Sequence, residues 1–344
     1  MNITIIGSFD FETNDTGGQP VKTRELYYAL KNNSAQDSIL FVDTYNRKKN
    51  TFKVIFTLIK NIRKSDRIIM LPAHNGVKVF SVLIPFFKRR KTRLYYDVIG
   101  GWLPELTKAN KRLSRRLKKF DGIWVETRNM KNSLEEQGFT NISVVPNFKN
   151  ITPLRENELV YNTEKPFRFC YFARVAKEKG IEDAVTAIKE INKKYGAGTS
   201  ELDIYGQINP DYQEGFDSLK KTFDESIKYM GVVKPEKSVE TLKDYFALLF
   251  PTKFFTEGIP GTIIDAYAAG VPVISSEWQS CHDVVENNKT GIVFEFENYS
   301  DFLNIIDEAI TNPQSIVQMK ADCIKAAEKY QPQHAAEQIF QLMG

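Results

Sequence analysis

The sequence predicts an α/β protein of two doubly wound, Rossmann-like parallel-sheet domains facing a central cleft, and three observations carry that prediction. Short apolar runs alternate with helical stretches along the whole chain, the pattern of parallel sheets covered on both faces. The alternation pauses at Pro146-Asn147-Phe148 and restarts at Phe167. A length of 344 residues suits about two domains.

The first half opens with a strand at Asn2–Ile6 and a Gly-rich loop, Asp15-Thr16-Gly17-Gly18-Gln19-Pro20. A helix is expected from Val21 to Leu30, with Pro20 near its first position, where a missing N–H costs nothing. Strands follow at Ser38–Val42, Arg67–Leu71, Arg93–Tyr96, Gly122–Val125 and Ser143–Val145. Residues 1–148 make the first domain and the polar stretch 149–166 the linker. The second domain, 167–326, has strands at Phe167–Phe172, Leu202–Tyr205, Ile227–Tyr229, Ala247–Phe250 and Pro272–Ile274. Helices are expected at Ile181–Asn192 and at Thr262–Ala269, the latter closed by Gly270. The tail is helical but interrupted by Pro332, so residues 327–344 are either a kinked surface helix or a strap returning to the first domain. Two such sheets in tandem place a ligand cleft at the carboxyl ends of their strands.

Composition narrows the function. Hydrophobic residues at 42% and charged residues at 26% describe an ordinary globular protein. Three dispersed cysteines, Cys170, Cys281 and Cys323, exclude a disulfide framework and a standard zinc cluster, and three scattered histidines offer no metal site. Met1–Gly7 reads as a strand rather than a signal peptide, and the longest apolar run, Val79–Phe87, is too short to span a bilayer. A cytoplasmic location is the expectation. Residues 1–150 carry 27 Lys+Arg against 13 Asp+Glu, a net of +14, whereas the remainder carries 20 against 30, a net of −10. The first half therefore meets something anionic: nucleic acid, anionic lipid or a phosphorylated substrate.

The chemistry concentrates in Phe250–Ile274. A strand leads into a Gly/Pro loop bearing Glu257, then into a helix expected to carry Asp265 in its first turn. Loop glycines let a ligand approach the backbone, and a helix N-terminus offers N–H groups to phosphate. Eight residues of helix would span roughly 12 Å, so the two acids suit hydroxyls at opposite ends of a nucleotide-sugar. The alternative makes Asp265 a helix-dipole partner and Glu257 a solvated loop charge.

Glu257-x7-Asp265, continued by Ala-Tyr-Ala-Ala-Gly-Val-Pro-Val-Ile, resembles the E-x7-E signature of retaining GT-B glycosyltransferases, especially family 4. The resemblance implies the GT-B fold, with Glu257 meeting donor-sugar hydroxyls and Asp265, here in place of the usual second Glu, holding the ribose. Pro260 removes one N–H, leaving Ile259, Gly261 and Thr262, beside Gly258, as the expected phosphate donors. Arg174 and Lys179, in Ala173–Gly180 after a strand, resemble the family's pair of cations that neutralise the donor diphosphate. Gly17 and Gly18 correspond to the loop facing the donor phosphates, Gly206 to a glycine beside the nucleotide, and Val232 and Val233 to backbone that meets the base. The family histidine near the reacting centre is missing from Asp97-Val98-Ile99-Gly100-Gly101, which leaves Asp97 and His74 as acceptor-side candidates.

Glu105–Phe120 has Leu106, Leu113, Leu117 and Phe120 on one stripe among seven basic residues, and Lys88–Lys91 form a second basic cluster. Such a helix either docks on anionic membrane or faces the core. The resulting expectation is a retaining glycosyltransferase. It moves a sugar from a nucleotide diphosphate-sugar, UDP by family analogy, to a lipid-linked or oligosaccharide acceptor in capsule, exopolysaccharide or O-antigen synthesis. The resemblance implies no cofactor, the nucleotide-sugar being a co-substrate, and the absence of a D-x-D motif fits transfer without metal. Its place would be the cytoplasmic face of the membrane, held peripherally through the basic first domain; no nucleic-acid module appears. Three rivals differ in readout. An NAD(P) oxidoreductase would bind nicotinamide, although Gly17-Gly18 is not G-x-G-x-x-G. A nucleotide-sugar epimerase would turn over without acceptor, and a non-catalytic nucleotide-sugar-binding component of an assembly complex would transfer nothing.

Overall fold

A computed structural model describes residues 1–11, 17–34, 37–45 and 51–344, residues 51–55 by backbone alone. Asp15 and Thr16 of the Gly-rich loop lie outside the described residues. The chain divides into two units, one of 1–150, 256–259 and 330–344, the other of 151–255 and 260–329.

The first unit runs β1 (Asn2–Gly7), α1 (Gly18–Asn32), β2 (Ser38–Asp43), α2 (Thr51–Lys64), β3 (Arg67–Met70) and α3 (His74–Phe87). It continues with β4 (Arg93–Asp97), α4 (Leu103–Ala109), α5 (Lys111–Leu117), β5 (Gly122–Val125), α6 (Arg128–Glu135) and β6 (Ile142–Val144). All neighbours are parallel, in the order β2-β1-β3-β4-β5-β6. The order reverses between β1 and β3, so the crevice at their carboxyl ends receives the Gly17-Gly18 loop. Central strands such as β5 are buried at every position, which is why they read as unbroken apolar runs.

The second unit contains β7 (Phe167–Phe172), α7 (Ile181–Tyr195), β8 (Ser200–Tyr205), α8 (Gln213–Lys220), β9 (Ile227–Gly231) and α9 (Ser238–Leu242). Then come β10 (Ala247–Phe250), α10 (Gly261–Ala268), β11 (Val273–Ser276), β12 (Gly291–Phe294), α11 (Tyr299–Thr311), α12 (Gln314–Val317) and α13 (Lys320–Ala327). Its sheet is also parallel, ordered β12-β11-β10-β7-β8-β9, and reverses between β7 and β10. The loops after those two strands therefore flank this unit's crevice. They are the stretches that carry Arg174 to Gly180 and Pro251 onward.

Pro332 does not kink a surface helix. A 3-10 turn at Glu328–Tyr330 ends the second unit's helices, and Pro332 opens α14 (Pro332–Met343) at its first turn. This helix packs on α1 in the first unit, burying Ala335, Ala336, Ile339 and Met343 with Leu26, Ala29 and Leu30. Gln338 Nε2 donates to Val144 O at 2.7 Å, and Tyr95 Oη donates to Met343 O at 3.2 Å. The C-terminal segment is a strap returned to the first unit.

Candidate active site

In the second unit, the turn after β7 and the loop after β10 are knitted together at the crevice. Lys253 N donates to Glu178 O at 2.9 Å, and the Thr262 hydroxyl donates to Phe172 O at the end of β7. Gly180 sits at φ +73 against Pro251, where an added Cβ would stand 1.8 Å from the Pro251 carbonyl oxygen. Gly206, at φ +140, is equally obligatory, with an added Cβ 1.9 Å from Ala173 O. These close approaches bring Arg174, Lys179, Gly206, Gly261 and Thr262 to one end of one sheet.

Arg174 is exposed, its guanidinium 3.8 Å from Glu178. Lys179 is half-buried, its ammonium over the rings of Phe250 and Phe254 at 5.8 and 5.6 Å. Helix α10 has Pro260 as N-cap and no side-chain cap; Ile263 N donates to Pro260 O at 3.0 Å, and the N–H groups of Gly261 and Thr262 precede it at the helix start. Two cations thus stand at the same end of the sheet as the start of α10. Asp265 differs from expectation: α10 begins at Gly261, which puts this residue in the second turn, outside reach of the dipole argument. It is 3% exposed and lies 2.9 Å from the Ser238 hydroxyl. Val232 is exposed and Val233 half-buried, both just past β9.

The tip of the loop, Thr256–Ile259, belongs to the first unit rather than to 167–326. Gly101 N donates to Thr256 O at 3.1 Å, and Asn147 Nδ2 to Ile259 O at 2.9 Å. Glu257 is 9% exposed. The Ile259 N–H, expected to bind phosphate, is instead committed to Glu126 Oε2 at 2.8 Å. Of the three N–H groups expected to meet phosphate, those of Gly261 and Thr262 remain, both in the first turn of α10.

Glu126 is the residue the sequence reading missed. It follows β5 and belongs to a buried charge cluster at the carboxyl edge of the first sheet. Lys22, just past the first turn of α1, places Nζ 3.0 Å from Glu126 Oε1, 3.1 Å from Val98 O and 3.2 Å from Asp97 Oδ1. All three side chains are at most 2% exposed. Burial lowers the Lys22 pKa, but the facing carboxylates of Asp97 and Glu126 outweigh it and hold the ammonium above its ordinary value.

Asp97 was an acceptor-side candidate; it is fully buried and cannot touch an acceptor where it stands. Its contact with Lys22 is an ion pair too poorly aligned to count as a hydrogen bond, so neither oxygen has a hydrogen-bond partner among the described residues. Burial raises its pKa to about 6. The folded protein then binds more protons than the unfolded chain between the ordinary value of 3.8 and about 6, so this group's contribution to stability falls as pH rises through that window. At neutral pH the ionised, buried carboxylate costs about 3 kcal/mol. Asp97→Asn is therefore expected to melt higher than wild type at pH 7.5 and to flatten the melting profile between pH 4 and 7. Parallel pH profiles for the two proteins would contradict this.

His74 is exposed at the start of α3, with its ring 5.5 Å from that of Trp102. It remains open to a ligand. Gly17 is the N-cap of α1, and Gly18 has open space around its missing Cβ. Among the described residues no cluster of three His, Cys, Asp or Glu could hold a metal ion, and no helix is long and apolar enough to cross a membrane.

The proposed membrane helix of Glu105–Phe120 is a pair of short helices. Asn110 caps α5 by accepting from Leu113 N at 3.0 Å, and Leu106, Leu113, Leu117 and Phe120 all face the core. Exposed apolar side chains occur instead on α3, where Val79, Val82 and Phe86 are 48, 47 and 79% exposed. Their spacing puts them on one helical face, with exposed Arg90 and Lys91 just beyond.

The model of the family glycosyl transferases group 1 matches residues 156–330, just over half of the chain. The amylovoran biosynthesis glycosyltransferase AmsK of Erwinia amylovora is 24% identical over 131 residues, 37% of this chain and 32% of that relative. The match thus spans about a third of the curated relative's length. HepE of Anabaena, solved with UDP, superposes with a TM-score of 0.77 at 14% identity over 100% of this chain and 99% of its own. A TarM variant of S. aureus, solved with fondaparinux, alpha-GlcNAc-glycerol and UDP, gives a TM-score of 0.67 at 19% identity over 84% of this chain and 58% of its own. At these identities the superpositions show fold alone, and that fold is GT-B. With its family model matched over the unit that holds the cationic corner, the chain belongs to the glycosyl transferases group 1.

Proposed function

We propose that this protein transfers a sugar from a UDP-sugar to a hydroxyl of a lipid-linked or oligosaccharide acceptor in surface-polysaccharide synthesis, with retention and without a metal ion. The observation that carries the reading is the gathering of Arg174, Lys179 and the start of α10, which has no side-chain cap, at the second unit's switch point, an arrangement suited to a diphosphate. The UDP bound to HepE supports the choice of donor, and the biosynthetic glycosyltransferase role in the name of AmsK, in amylovoran biosynthesis, supports a transferase that builds a polymer. Asp265 would take the ribose and Glu257 the sugar hydroxyls.

In the reaction, the bond from the anomeric carbon to the β-phosphate oxygen breaks while the acceptor oxygen bonds to that carbon on the same face. The hydroxyl proton passes to the departing phosphate. Arg174, Lys179 and the N–H groups of Gly261 and Thr262 would stabilise the negative charge that accumulates on the diphosphate. Phe86, Val79 and Val82, with Arg90 and Lys91 nearby, would hold the first unit peripherally on an anionic membrane that contains the acceptor.

The test is a panel of UDP-, GDP- and ADP-sugars and NAD(P), scored by thermal stabilisation and then by transfer of labelled sugar to extracted lipid. UDP-sugar stabilisation and a labelled lipid product support the reading. Stabilisation by NAD(P) alone, or sugar isomerisation without acceptor, would replace it with a rival. Co-sedimentation with anionic vesicles, weakened in Phe86→Ser, checks the membrane face; equal pelleting of both proteins would remove it.

A further inference from the structure

We propose that Glu126 is a positioning residue for donor-sugar recognition: one of its carboxylate oxygens pins the backbone beside Glu257 while Lys22 grips the other. This rests on the reading that Glu257 meets the donor sugar.

The geometry leaves Glu126 little freedom. One carboxylate oxygen accepts from Ile259 N at 2.8 Å and the other from Lys22 Nζ at 3.0 Å. Both partners are donors, so both oxygens must accept, and only the carboxylate can do that. Glutamine would turn its amide NH2 towards either the ammonium or the Ile259 N–H, a donor facing a donor. The loop is shaped to the same contact. An added Cβ on Gly258 would lie 2.0 Å from Glu126 Oε2, and one on Gly101 would lie 2.6 Å from Glu257 O. Two glycines thus let the loop backbone lie flat on Gly100, Gly101 and Glu126, with Glu257 between the pinned Thr256 and Ile259. A buried carboxylate without its cation is costly, which explains why Lys22 is fully enclosed beside it. The chemistry at stake is recognition of the hexose hydroxyls, not of the nucleotide.

The experiment measures amide hydrogen exchange across 256–259, together with the affinities for UDP and UDP-glucose, in wild type, Glu126→Gln, Gly258→Ala and Glu257→Ala. Gly258→Ala forces the loop and the Glu126 carboxylate apart while keeping the charges of Lys22, Asp97 and Glu126, so it serves if Glu126→Gln folds poorly. Exchange at Ile259 is expected to rise at least tenfold in both Glu126→Gln and Gly258→Ala. UDP-glucose affinity should fall about tenfold in both, with UDP affinity changing less than twofold. Unchanged exchange in both variants would overturn the proposal, as would UDP and UDP-glucose affinities falling together. If Glu257→Ala leaves UDP-glucose affinity intact while exchange rises as expected, the clamp stands and the reading of Glu257 fails.

Discussion

Replacing Lys22 by methionine is expected to destabilise the first unit by about 3–5 kcal/mol at neutral pH, the range found when one partner of a buried ion pair is removed. Lys22 is 2% exposed and is the ammonium that faces Asp97 and Glu126 at 3.2 and 3.0 Å. Methionine fills most of the volume, so packing is nearly kept and the loss is electrostatic. Two carboxylates would remain buried side by side without their cation. The loss should therefore shrink on acidification, because protonating Asp97, whose pKa burial raises to about 6, removes part of the uncompensated charge. Adding Asp97→Asn to Lys22→Met should recover much of the deficit. Urea melts at pH 5 and pH 7.5 check both points; a Lys22→Met variant within about 1 kcal/mol of wild type at pH 7.5 would show that the cluster is not ionised as described.

Lys179→Ala is expected to lower kcat roughly 10²–10³-fold with the melting temperature nearly unchanged. The ammonium stands over Phe250 and Phe254 at 5.8 and 5.6 Å, contacts worth about 0.5–1 kcal/mol at partly exposed sites. In the proposed reaction charge grows on the leaving diphosphate, so the expected loss belongs in the transition state more than in donor binding. Arg174→Ala should behave similarly, since its ion pair with Glu178 is exposed and contributes little to stability. Steady-state kinetics with a fixed acceptor check this. A raised KM at unchanged kcat would reassign Lys179 to uniform donor binding.

Local patterns that repeat along the chain were legible in advance. Buried strands such as Gly122–Val125 are apolar at every position, and Pro332 marked the break before the final helix. The short strand β12 escaped because it is four residues long, with only its end residues buried. The basic helix misled because Leu106, Leu113, Leu117 and Phe120 make the same stripe whether it faces lipid or core. Asn110, a side chain suited to capping, was the available signal that the helix divides there. Nothing local marks Glu126: Lys22 lies 104 residues before it and Ile259 133 after it. A lone glutamate after a strand becomes a buried clamp only through tertiary pairing. The same holds for Asp97, which reads as a strand-end carboxylate and is enclosed by its fold.

The most direct test of the account titrates UDP-glucose and other UDP-sugars into wild type and Glu257→Ala by calorimetry, with EDTA present. Wild type is expected to bind at least one UDP-sugar without added metal, at least tenfold more tightly than Glu257→Ala, while UDP alone binds both proteins equally. Absence of UDP-sugar binding by wild type, or equal binding of every UDP-sugar by both proteins, would contradict it.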